Sequence, residues 1–391
     1  MRVLLAGQTY LPTTNGPAVF TTGLAEALAA NGHDVLAVVP SPDGRSHEAR
    51  RNGVVVRALP SLVLARSGVA VTVFPNARVR RLLRAFGPDV VHIQDHYPTS
   101  RAVLAESLAL KAPVVGTNHF LPANLVFQLP VPPSAQGPLE RVLWWTVRSV
   151  FRRVAVATAP SEAAASALLS ALGLHGVRVI SCGVDVARFA PRPPDARRRL
   201  RARFGLPVDA TVALYVGRVD RDKNLDVLLD AWPLTSAADL LVIAGRGLHL
   251  DALRRHAARL RLAGRTRFLG YVPDDALPGL YAAADLFVMP GRVELLSIAT
   301  LEAMASGLPV AAARAGALPE LVTPGTHGTL FDPTDPGDVA RALERLASRR
   351  EDWPRMGHAN RARAEEHRLE HVRTAFEALY REVLARRPAF S

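Results

Sequence analysis

The chain has 391 residues, 49 % of them hydrophobic and 21 % charged, so it can bury one or two substantial cores. Its 48 arginines and lysines exceed its 35 aspartates and glutamates, which gives a formal net charge of +13 and favours anionic partners such as nucleotides or anionic lipid headgroups. The basic residues are dispersed and are not interleaved with aromatic residues, which argues against a nucleic-acid-binding protein.

The cysteine count and the hydropathy of the sequence indicate in which cellular compartment the protein is expected. The single cysteine, Cys182, excludes an internal disulfide and a cysteine-based zinc cluster and indicates a reducing compartment. The first residues, MRVLLAGQTYLP, lack the long apolar core of a signal peptide and are typical of a buried strand. No window holds 18 uninterrupted apolar residues, so we expect a cytoplasmic protein without a membrane span.

Short apolar runs alternate with longer amphipathic stretches, which predicts strands separated by helices. The predicted strands of the first half are Val3–Ala6, Val35–Val39, Val54–Ala58, Val90–Ile93, Val114–Gly116 and Val154–Ala159. Those of the second half are Val212–Val216, Leu240–Ala244, Thr266–Leu269, Leu286–Met289 and Val310–Ala312. Near-continuous apolar strands joined by helices are typical of parallel sheets covered on both faces, so we predict an α/β protein with two doubly wound, Rossmann-like domains.

A stretch without apolar periodicity separates the two halves. Residues 185–199 contain three prolines and several charges, which predicts a linker. We therefore expect domains over residues 1–184 and 200–365, followed by a terminal helical segment, 366–391, that has no strand after it. Because parallel sheets bind ligands beyond the carboxyl ends of their strands, the functional residues should follow the strands.

The loop after the first strand, residues 10–17 (YLPTTNGP), can bring backbone N–H groups and a helix N-terminus to an anion. Asn15 and Gly16 tolerate positive φ best, so the loop can turn sharply there. Pro17 has no N–H and contributes no donor. An ordinary turn is the alternative.

Histidines follow two later strands of the first half. His92 and His96, with Asp95 between them, have the residue types of a metal site, but they lie at a strand end rather than on one face of a helix, so we predict no metal there. His119, in the segment 116–120 (GTNHF), is more typical of a loop histidine that faces a ligand.

In the second half, the strand that ends at Val216 runs into a basic loop, residues 217–224 (GRVDRDKN). Arg218 and Lys223 can converge there on a diphosphate, arginine as a planar fork and lysine as a point charge. Plain surface charge is the alternative, although Lys223 is one of only two lysines in an arginine-rich chain. The next strand ends in GRG at 245–247, which permits close backbone approach but lacks the third glycine of a dinucleotide fingerprint.

The strongest signal is residues 290–310, PGRVELLSIATLEAMASGLPV, which predict a loop, a helix, a glycine stop and a strand. Ser297 is a candidate N-cap, so the amides of the following turn and the positive helix end would face a phosphate. Glu294 in the loop could accept hydrogen bonds from sugar hydroxyls, and Glu302 in the helix could reach ribose hydroxyls. Glutamates without a functional role are the alternative.

Together these motifs closely resemble those of retaining glycosyltransferase family 4, which has the two-domain GT-B fold. The resemblance spans nearly the whole chain. It rests on the Asn-Gly loop, on Thr-x-His at 117–119, on Gly-Arg followed by Lys at 217–223, and on two glutamates eight positions apart that run into EAMASGLPV at 302–310. The last of these is highly specific.

The resemblance implies a nucleotide-sugar-binding second domain, an acceptor-binding first domain facing it across a cleft, and a C-terminal helix that crosses back onto the first domain. His119 would contact the transferred sugar near the reacting carbon, Arg218 and Lys223 would hold the diphosphate, and Glu294 would hold sugar hydroxyls. The residues implied in donor binding are Gly16, Gly217, Gly245, Ser297, Ile298, Ala299 and Glu302. Among them, Gly16 would approach the diphosphate or the acceptor, the amides near Ile298 and Ala299 the phosphates, and Glu302 the ribose.

Three positions depart from the family pattern. Asn15 stands where many members have a first glycine, Asn224 where glycine is frequent after the lysine, and Leu296-Ser297 where Phe-Gly is frequent. Amide donors survive each change, so the departures concern sugar specificity rather than donor binding.

The implied reaction is transfer of a hexose from a UDP-glucose-like or GDP-mannose-like donor with retained configuration, without metal or organic cofactor. No general base is evident, so we expect a phosphate oxygen of the donor to take the proton from the hydroxyl group that receives the sugar. A non-enzymatic nucleotide-sugar binder is a rival interpretation. A nucleotide-sugar epimerase is another, and it would consume donor with no acceptor present.

The acceptor can be a lipid or a soluble sugar or small molecule. Asp95-His96-Tyr97 and residues 118–122 (NHFLP) resemble family members that glycosylate diacylglycerol lipids. Two Arg-rich amphipathic stretches, Phe74–Phe86 and Leu139–Val154, could lie on an anionic membrane, which would place the protein on the inner face of the plasma membrane. Ordinary packed helices with solvated arginines are the alternative.

Overall fold

A computed structural model describes residues 1–11, 15–64, 69–128 and 131–386. Contacts divide the chain into two units: the first contains Met1–Val126, Val131–Cys182 and Leu369–Ser391, and the second contains Phe127–Pro130 and Gly183–Arg368. The chain thus changes unit after Cys182 and again after Arg368, and residues 387–391 of the expected terminal segment lie outside the described residues. No helix in these described ranges is both long and apolar enough to cross a membrane.

The elements of the chain up to Val179 belong to the first unit. The strands are β1 Arg2–Ala6, β2 Asp34–Pro40, β3 His47–Arg51, β4 Val54–Leu59, β5 Ser61–Val63, β6 Ala70–Thr72, β7 Val90–Ile93, β8 Val114–Thr117, β9 Val156–Ala159 and β10 Arg178–Val179. The helices are α1 Gly16–Ala30, α2 Asn76–Phe86, α3 Pro98–Ala109, α4 Pro122–Val126, α5 Pro133–Phe151 and α6 Glu162–Leu172.

The remaining elements belong to the second unit, except for the last helix. They are α7 Pro194–Arg203, β11 Val212–Val216, α8 Leu225–Ala231, β12 Leu240–Ala244, α9 Leu250–Arg259, β13 Thr266–Gly270, α10 Leu277–Ala283, β14 Leu286–Met289, α11 Ile298–Ala305, β15 Val310–Ala313, α12 Leu318–Leu321, β16 Gly328–Phe331, α13 Pro336–Ala347, α14 Trp353–Glu366 and α15 Leu369–Ala385.

The first unit is built on a sheet with the order β10-β9-β8-β7-β1-β2-β4-β3. All neighbours pair in parallel except β3, which runs antiparallel to β4. Central strands such as β7 are buried along their whole length, and this is why each predicted apolar run became a strand. β3 was not predicted because its sequence, HEARR, is exposed throughout, as charged edge strands commonly are.

The second unit has a parallel sheet with the order β13-β12-β11-β14-β15-β16. All five strands predicted for the second half are confirmed, and the sheet has a sixth strand, β16, at its edge. One parallel sheet and one that is parallel except for β3, both with helical crossovers, confirm the predicted doubly wound α/β class.

The predicted linker 185–199 is wrong over its last six residues, because α7 begins at Pro194. Its sequence, PDARRRLRAR, shows no apolar periodicity, because the buried residue of the helix is Arg201 rather than an apolar residue. The Arg201 guanidinium donates to the carbonyl oxygens of Ala283 (3.0 Å) and Ala210 (2.9 Å) and pairs with Asp285 at 2.5 Å. A buried charge is tolerated when it is paired and hydrogen-bonded in this way.

Helix α15 packs on the first unit, as expected for a terminal helix that returns to the first domain. Glu377 accepts hydrogen bonds from Asn31 Nδ2 at 2.7 Å and His33 Nε2 at 3.1 Å. Phe376 lies against Phe20 with 5.8 Å between ring centroids. The helix therefore joins α1 by polar and aromatic contacts together.

Two glycines allow the loops after β11 and β12 to touch. Gly217 and Gly245 have φ values of +156° and +150°, and the Gly217 N–H donates to the carbonyl oxygen of Ala244 at 3.0 Å. A Cβ at position 245 would lie 1.7 Å from the Gly217 carbonyl oxygen. The contact between the loops therefore excludes any side chain at Gly245.

We expect Gly245→Ala to lower the free energy of unfolding by about 3 kcal/mol or more, because the methyl group would collide with a backbone oxygen at a strained φ. Urea unfolding followed by circular dichroism measures this. Gly264→Ala is the matched control, since a Cβ there meets nothing within 4 Å, and it should change stability by less than about 0.5 kcal/mol. Equal losses in both variants would contradict the argument.

Candidate active site

The carboxyl ends of β11 and β14, which are neighbours in the second sheet, bring three of the predicted residues together. Lys223 Nζ donates to Glu294 Oε1 at 2.7 Å, and the two side chains are only 14 % and 11 % exposed. Arg218 lies in the same β11 loop as Lys223. A cation predicted to hold phosphate and a carboxylate predicted to hold sugar hydroxyls are thus bonded to each other.

Two carboxylates that the sequence did not single out hold Arg218. Asp222 Oδ2 accepts from Arg218 Nη2 at 2.9 Å, and Asp220 Oδ2 accepts from Nη1. Asp220 also accepts from the backbone N–H of Leu248 at 2.8 Å, which ties the β11 loop to the β12 loop. The alternation of acid and base in residues 220–223 (DRDK) was the available signal for this cluster.

Asn224 shapes the loop that presents Lys223. It has a φ of +56°, a left-handed conformation that asparagine tolerates better than most residues, so it can replace the glycine that is frequent in the family. Its Nδ2 donates to the carbonyl oxygens of Pro333 at 2.7 Å and Pro290 at 3.3 Å. The amide therefore also fastens the Lys223 loop to the loop that contains Glu294.

Glu294 lies against two glycines. A Cβ at Gly291 would approach Glu294 Oε1 to 2.6 Å, and a Cβ at Gly316, where φ is +54°, would approach the Glu294 carbonyl oxygen to 2.5 Å. That oxygen accepts from the N–H of Ala317 at 2.9 Å. Both the side chain and the backbone of Glu294 are therefore held by close packing.

The N-terminus of α11 offers hydrogen-bond donors. Ser297 is its N-cap, as predicted, and the Ser297 hydroxyl accepts from the Thr300 N–H at 3.3 Å. The N–H groups of Ile298 and Ala299 have no hydrogen-bond partner among the described residues. These two donors lie at the positive end of the helix and can accept an anion.

Glu302 lies one helical turn further along α11. Its Oε2 accepts from the hydroxyl of Tyr281 at 2.8 Å. Burial raises the pKa of Glu302 to about 7, although the hydrogen bond from Tyr281 acts in the opposite direction. This carboxyl group therefore changes charge near neutral pH.

In the first unit, His119 follows β8 and is partly exposed. Its Nε2 lies 3.1 Å from Gln94 Oε1, which can only accept, so Nε2 donates. The ring of Phe20 packs on the imidazole with 4.8 Å between centroids. Burial lowers the pKa of His119 to about 3, so the ring is neutral at pH 7.

His92, in β7, and His96, which follows that strand, are buried in this unit. His92 is fully buried, and its ring nitrogens lie 2.7 Å from the Tyr380 hydroxyl and 2.6 Å from the Thr117 hydroxyl. His96 stacks on Tyr97 at 4.6 Å. In the described part of the chain, no group of three or more His, Cys, Asp or Glu side chains could hold a metal ion.

The first loop leads into α1 through a helix cap. Asn15 has an extended backbone, with φ of −142°, and its side chain caps α1 by accepting from the Ala18 N–H at 2.9 Å. Gly16 is the exposed first residue of that helix and is not at positive φ. Neither residue uses the positive φ that it would tolerate, because the asparagine acts as an N-cap. Residues 12–14 of this loop lie outside the described residues.

Two family models match the chain. Residues 14–188 match the model described as Glycosyltransferase Family 4, and residues 196–363 match the model described as Glycosyl transferases group 1. Both halves of the chain are thus matched by glycosyltransferase models.

Two relatives extend this finding. A GDP-mannose-dependent alpha-mannosyltransferase of Mycobacterium tuberculosis is 32 % identical over 375 residues, which cover 90 % of this chain and 93 % of the relative. A GDP-mannose-dependent alpha-(1-6)-phosphatidylinositol monomannoside mannosyltransferase of Mycolicibacterium smegmatis is 37 % identical over 229 residues, which cover 55 % of this chain and 59 % of the relative.

A solved structure agrees with the fold. The sucrose-phosphate synthase of Thermosynechococcus elongatus has a TM-score of 0.80 and 21 % identity over 98 % of this chain and 100 % of that one. At this identity the likeness concerns the fold alone. The chain therefore belongs to glycosyltransferase family 4 and is a nucleotide-sugar glycosyltransferase with the GT-B fold.

Proposed function

We propose that the protein is a retaining, metal-independent hexosyltransferase that moves a hexose from a nucleotide diphosphate sugar to a hydroxyl acceptor. The main support is the arrangement in the second unit. Arg218 and the Lys223–Glu294 pair follow neighbouring strands. Helix α11 starts in the same loop as Glu294, and two N–H groups at its N-terminus have no partner in the part of the chain that the structure describes. Cations, a carboxylate and helix amides are the groups that diphosphate and sugar hydroxyls require.

A GDP-mannose-like donor is favoured over a UDP-glucose-like one. The relative that matches nearly the whole chain is named for GDP-mannose dependence, and so is the relative that acts on a phosphatidylinositol mannoside. The second of these names also favours a lipid acceptor, of which a diacylglycerol-type glycolipid is one class.

The proposed chemistry is a substitution at the anomeric carbon. The bond from this carbon to the β-phosphate oxygen breaks, a bond to the acceptor oxygen forms on the same face, and the acceptor's proton passes to a phosphate oxygen of the leaving nucleoside diphosphate. Arg218, Lys223 and the N–H groups of Ile298 and Ala299 stabilise the charge that develops on the leaving group. Glu294 accepts from sugar hydroxyls, and Glu302 accepts from the ribose.

In the first unit, Gly16 and His119 are the proposed ligand contacts. Gly16 is exposed, and a Cβ there would meet nothing within 4 Å, so its open surface suits contact with the diphosphate or the acceptor. His119 is neutral because burial lowers its pKa to about 3. It therefore contributes hydrogen bonding near the reacting carbon and no positive charge.

Helix α5 supports association with an anionic membrane. Arg141, Trp145 and Arg148 are exposed at spacings of four and three residues, so they share one face of the helix, and the exposed Arg152 follows directly after its last residue. Trp145 is 67 % exposed on that face. An exposed indole among arginines is typical of a helix that lies at a membrane surface.

In the other Arg-rich stretch, Phe74–Phe86, the exposed aromatic residue is Phe74, which is 87 % exposed but precedes α2. In α2 the apolar residues Val79 and Leu83 are buried, while Arg78, Arg81 and Arg84 are exposed. α2 therefore fits the alternative of an ordinary packed helix with solvated arginines.

The full chain should release GDP from GDP-mannose, or UDP from a UDP-hexose, when vesicles containing diacylglycerol or phosphatidylinositol lipids are added. Arg218→Ala and Lys223→Ala should each reduce the rate roughly a hundredfold, because a donor aimed at developing charge is worth about 3 kcal/mol. A coupled nucleoside diphosphate assay measures the rates, and the product's anomeric configuration follows from NMR.

Arg255→Ala is the matched control for these variants, since Arg255 is an exposed arginine of the same unit, and it should leave the rate unchanged. Release with soluble sugars alone would move the acceptor to that class. Conversion of the donor without any acceptor would point to an epimerase. Near-normal turnover by both site variants would overturn the assignment of Arg218 and Lys223.

Donor affinity should depend on pH through Glu302. Its pKa of about 7 means that the carboxylate, the stronger acceptor for ribose hydroxyls, exists mainly above pH 7. If only this form binds, the dissociation constant should rise about tenfold between pH 8 and pH 6. Calorimetric titration with GDP-mannose at several pH values measures it. Glu302→Gln should bind weakly with little pH dependence, and an unchanged slope in that variant would exclude Glu302 as the titrating group.

Binding to vesicles should depend on α5. We expect sedimentation with anionic phosphatidylglycerol vesicles but not with neutral phosphatidylcholine vesicles, and a loss of roughly tenfold or more in the triple variant Arg141→Gln, Arg148→Gln, Arg152→Gln. Trp145→Ser should also weaken binding.

The triple variant Arg78→Gln, Arg81→Gln, Arg84→Gln of α2 makes the same change in net charge and should retain binding. Equal losses in both triple variants would show that net charge alone drives association. Absence of binding to either vesicle type would remove the membrane proposal.

A further inference from the structure

The candidate active site contains a buried carboxylate to which the proposed function gives no chemical role. The Asp222 side chain has no solvent exposure. Its Oδ2 accepts from Arg218 Nη2 at 2.9 Å and lies 3.6 Å from Lys223 Nζ. Its Oδ1 accepts a long hydrogen bond from Gln128 Nε2 at 3.5 Å. One carboxylate thus faces both cations that are proposed to hold the diphosphate.

The charges of this cluster do not favour an anion. Arg218 and Lys223 supply two positive charges, whereas Asp220, Asp222 and Glu294 supply three negative ones. Charges that are buried are screened only weakly by water and salt. The cations therefore attract a diphosphate much less than two uncompensated cations would.

The three carboxylates differ in what else they do. Glu294 belongs to the proposed sugar contact, and Asp220 ties two loops through the Leu248 N–H. Among the described residues, no backbone N–H donates to the Asp222 carboxylate. Its strongest contacts are with the two cations, so its charge acts mainly on them.

We propose that Asp222 sets how tightly the site holds a nucleoside diphosphate: it orients Arg218 and Lys223 and offsets part of their charge, so that the product leaves after transfer. Asp222 is thus a positioning and charge-compensating residue. The inference rests on the proposed diphosphate-binding role of the two cations. Asp222 lowers the attraction of Arg218 and Lys223 for the diphosphate, which favours release of the product over its retention.

Asp222→Asn isolates the charge. Asparagine has nearly the same shape, its amide oxygen can still accept from Arg218, and the Gln128 amide can rotate to offer its oxygen to the new NH₂ group. Asp222→Ala removes the acceptor as well and leaves Arg218 held by Asp220 alone. The two variants therefore separate compensation of charge from orientation.

Calorimetric titration of the full chain with GDP and with UDP tests the proposal. For the nucleoside diphosphate that the wild type binds, Asp222→Asn should bind roughly three- to tenfold more tightly, with stronger product inhibition and a lower kcat. Asp222→Ala should bind more weakly than wild type. Asp251→Asn, at a carboxylate that is 80 % exposed in the same unit, should bind as wild type does.

Whether Asp222→Asn binds the nucleoside diphosphate more tightly or more weakly than wild type decides whether the proposal holds. Unchanged or weaker binding by a folded Asp222→Asn variant, checked by its melting temperature, would overturn the release role and leave Asp222 as a purely orienting group. A wild-type chain that binds neither GDP nor UDP would instead overturn the proposed function, and the inference with it.

Discussion

The ion pair between Lys223 and Glu294 is the interaction on which the second unit's site depends. It joins the loops after β11 and β14 at 2.7 Å, with both side chains largely out of water. Asn224 adds a second tie between the same loops through the Pro290 carbonyl oxygen. Loss of Lys223 would leave the Glu294 carboxylate without this cation in a largely buried position, which costs more than the pair contributes.

The first unit supports its candidate residue by packing. His119 rests on Phe20 and bonds to Gln94, while Phe20 in turn meets Phe376 of α15. The terminal helix therefore takes part in the surroundings of His119, although it is more than 240 residues away in sequence. Aromatic contacts of this kind fix ring orientation without adding charge, which suits a histidine that stays neutral.

The sequence was sufficient to predict local structure wherever a residue type occupies the environment that it usually prefers. Apolar runs predicted the buried strands, and Ser297 was predicted as the N-cap of α11. It was insufficient where a residue contradicts its usual behaviour. Arg201 is the buried residue of α7 and concealed that helix, and the exposed HEARR strand gave no apolar signal. The roles of the site residues remain predictions, because they depend on ligands.

The balance of charge bears on how an anion would be recognised in the second unit. Two cations face three carboxylates in the cluster, so net charge gives little attraction. The N–H groups of Ile298 and Ala299 have no partner within the described ranges, and they are donors whose direction is set by the helix. Recognition would then depend on geometry more than on charge: an anion gains most when its oxygens match both the helix amides and the fixed Arg218 fork.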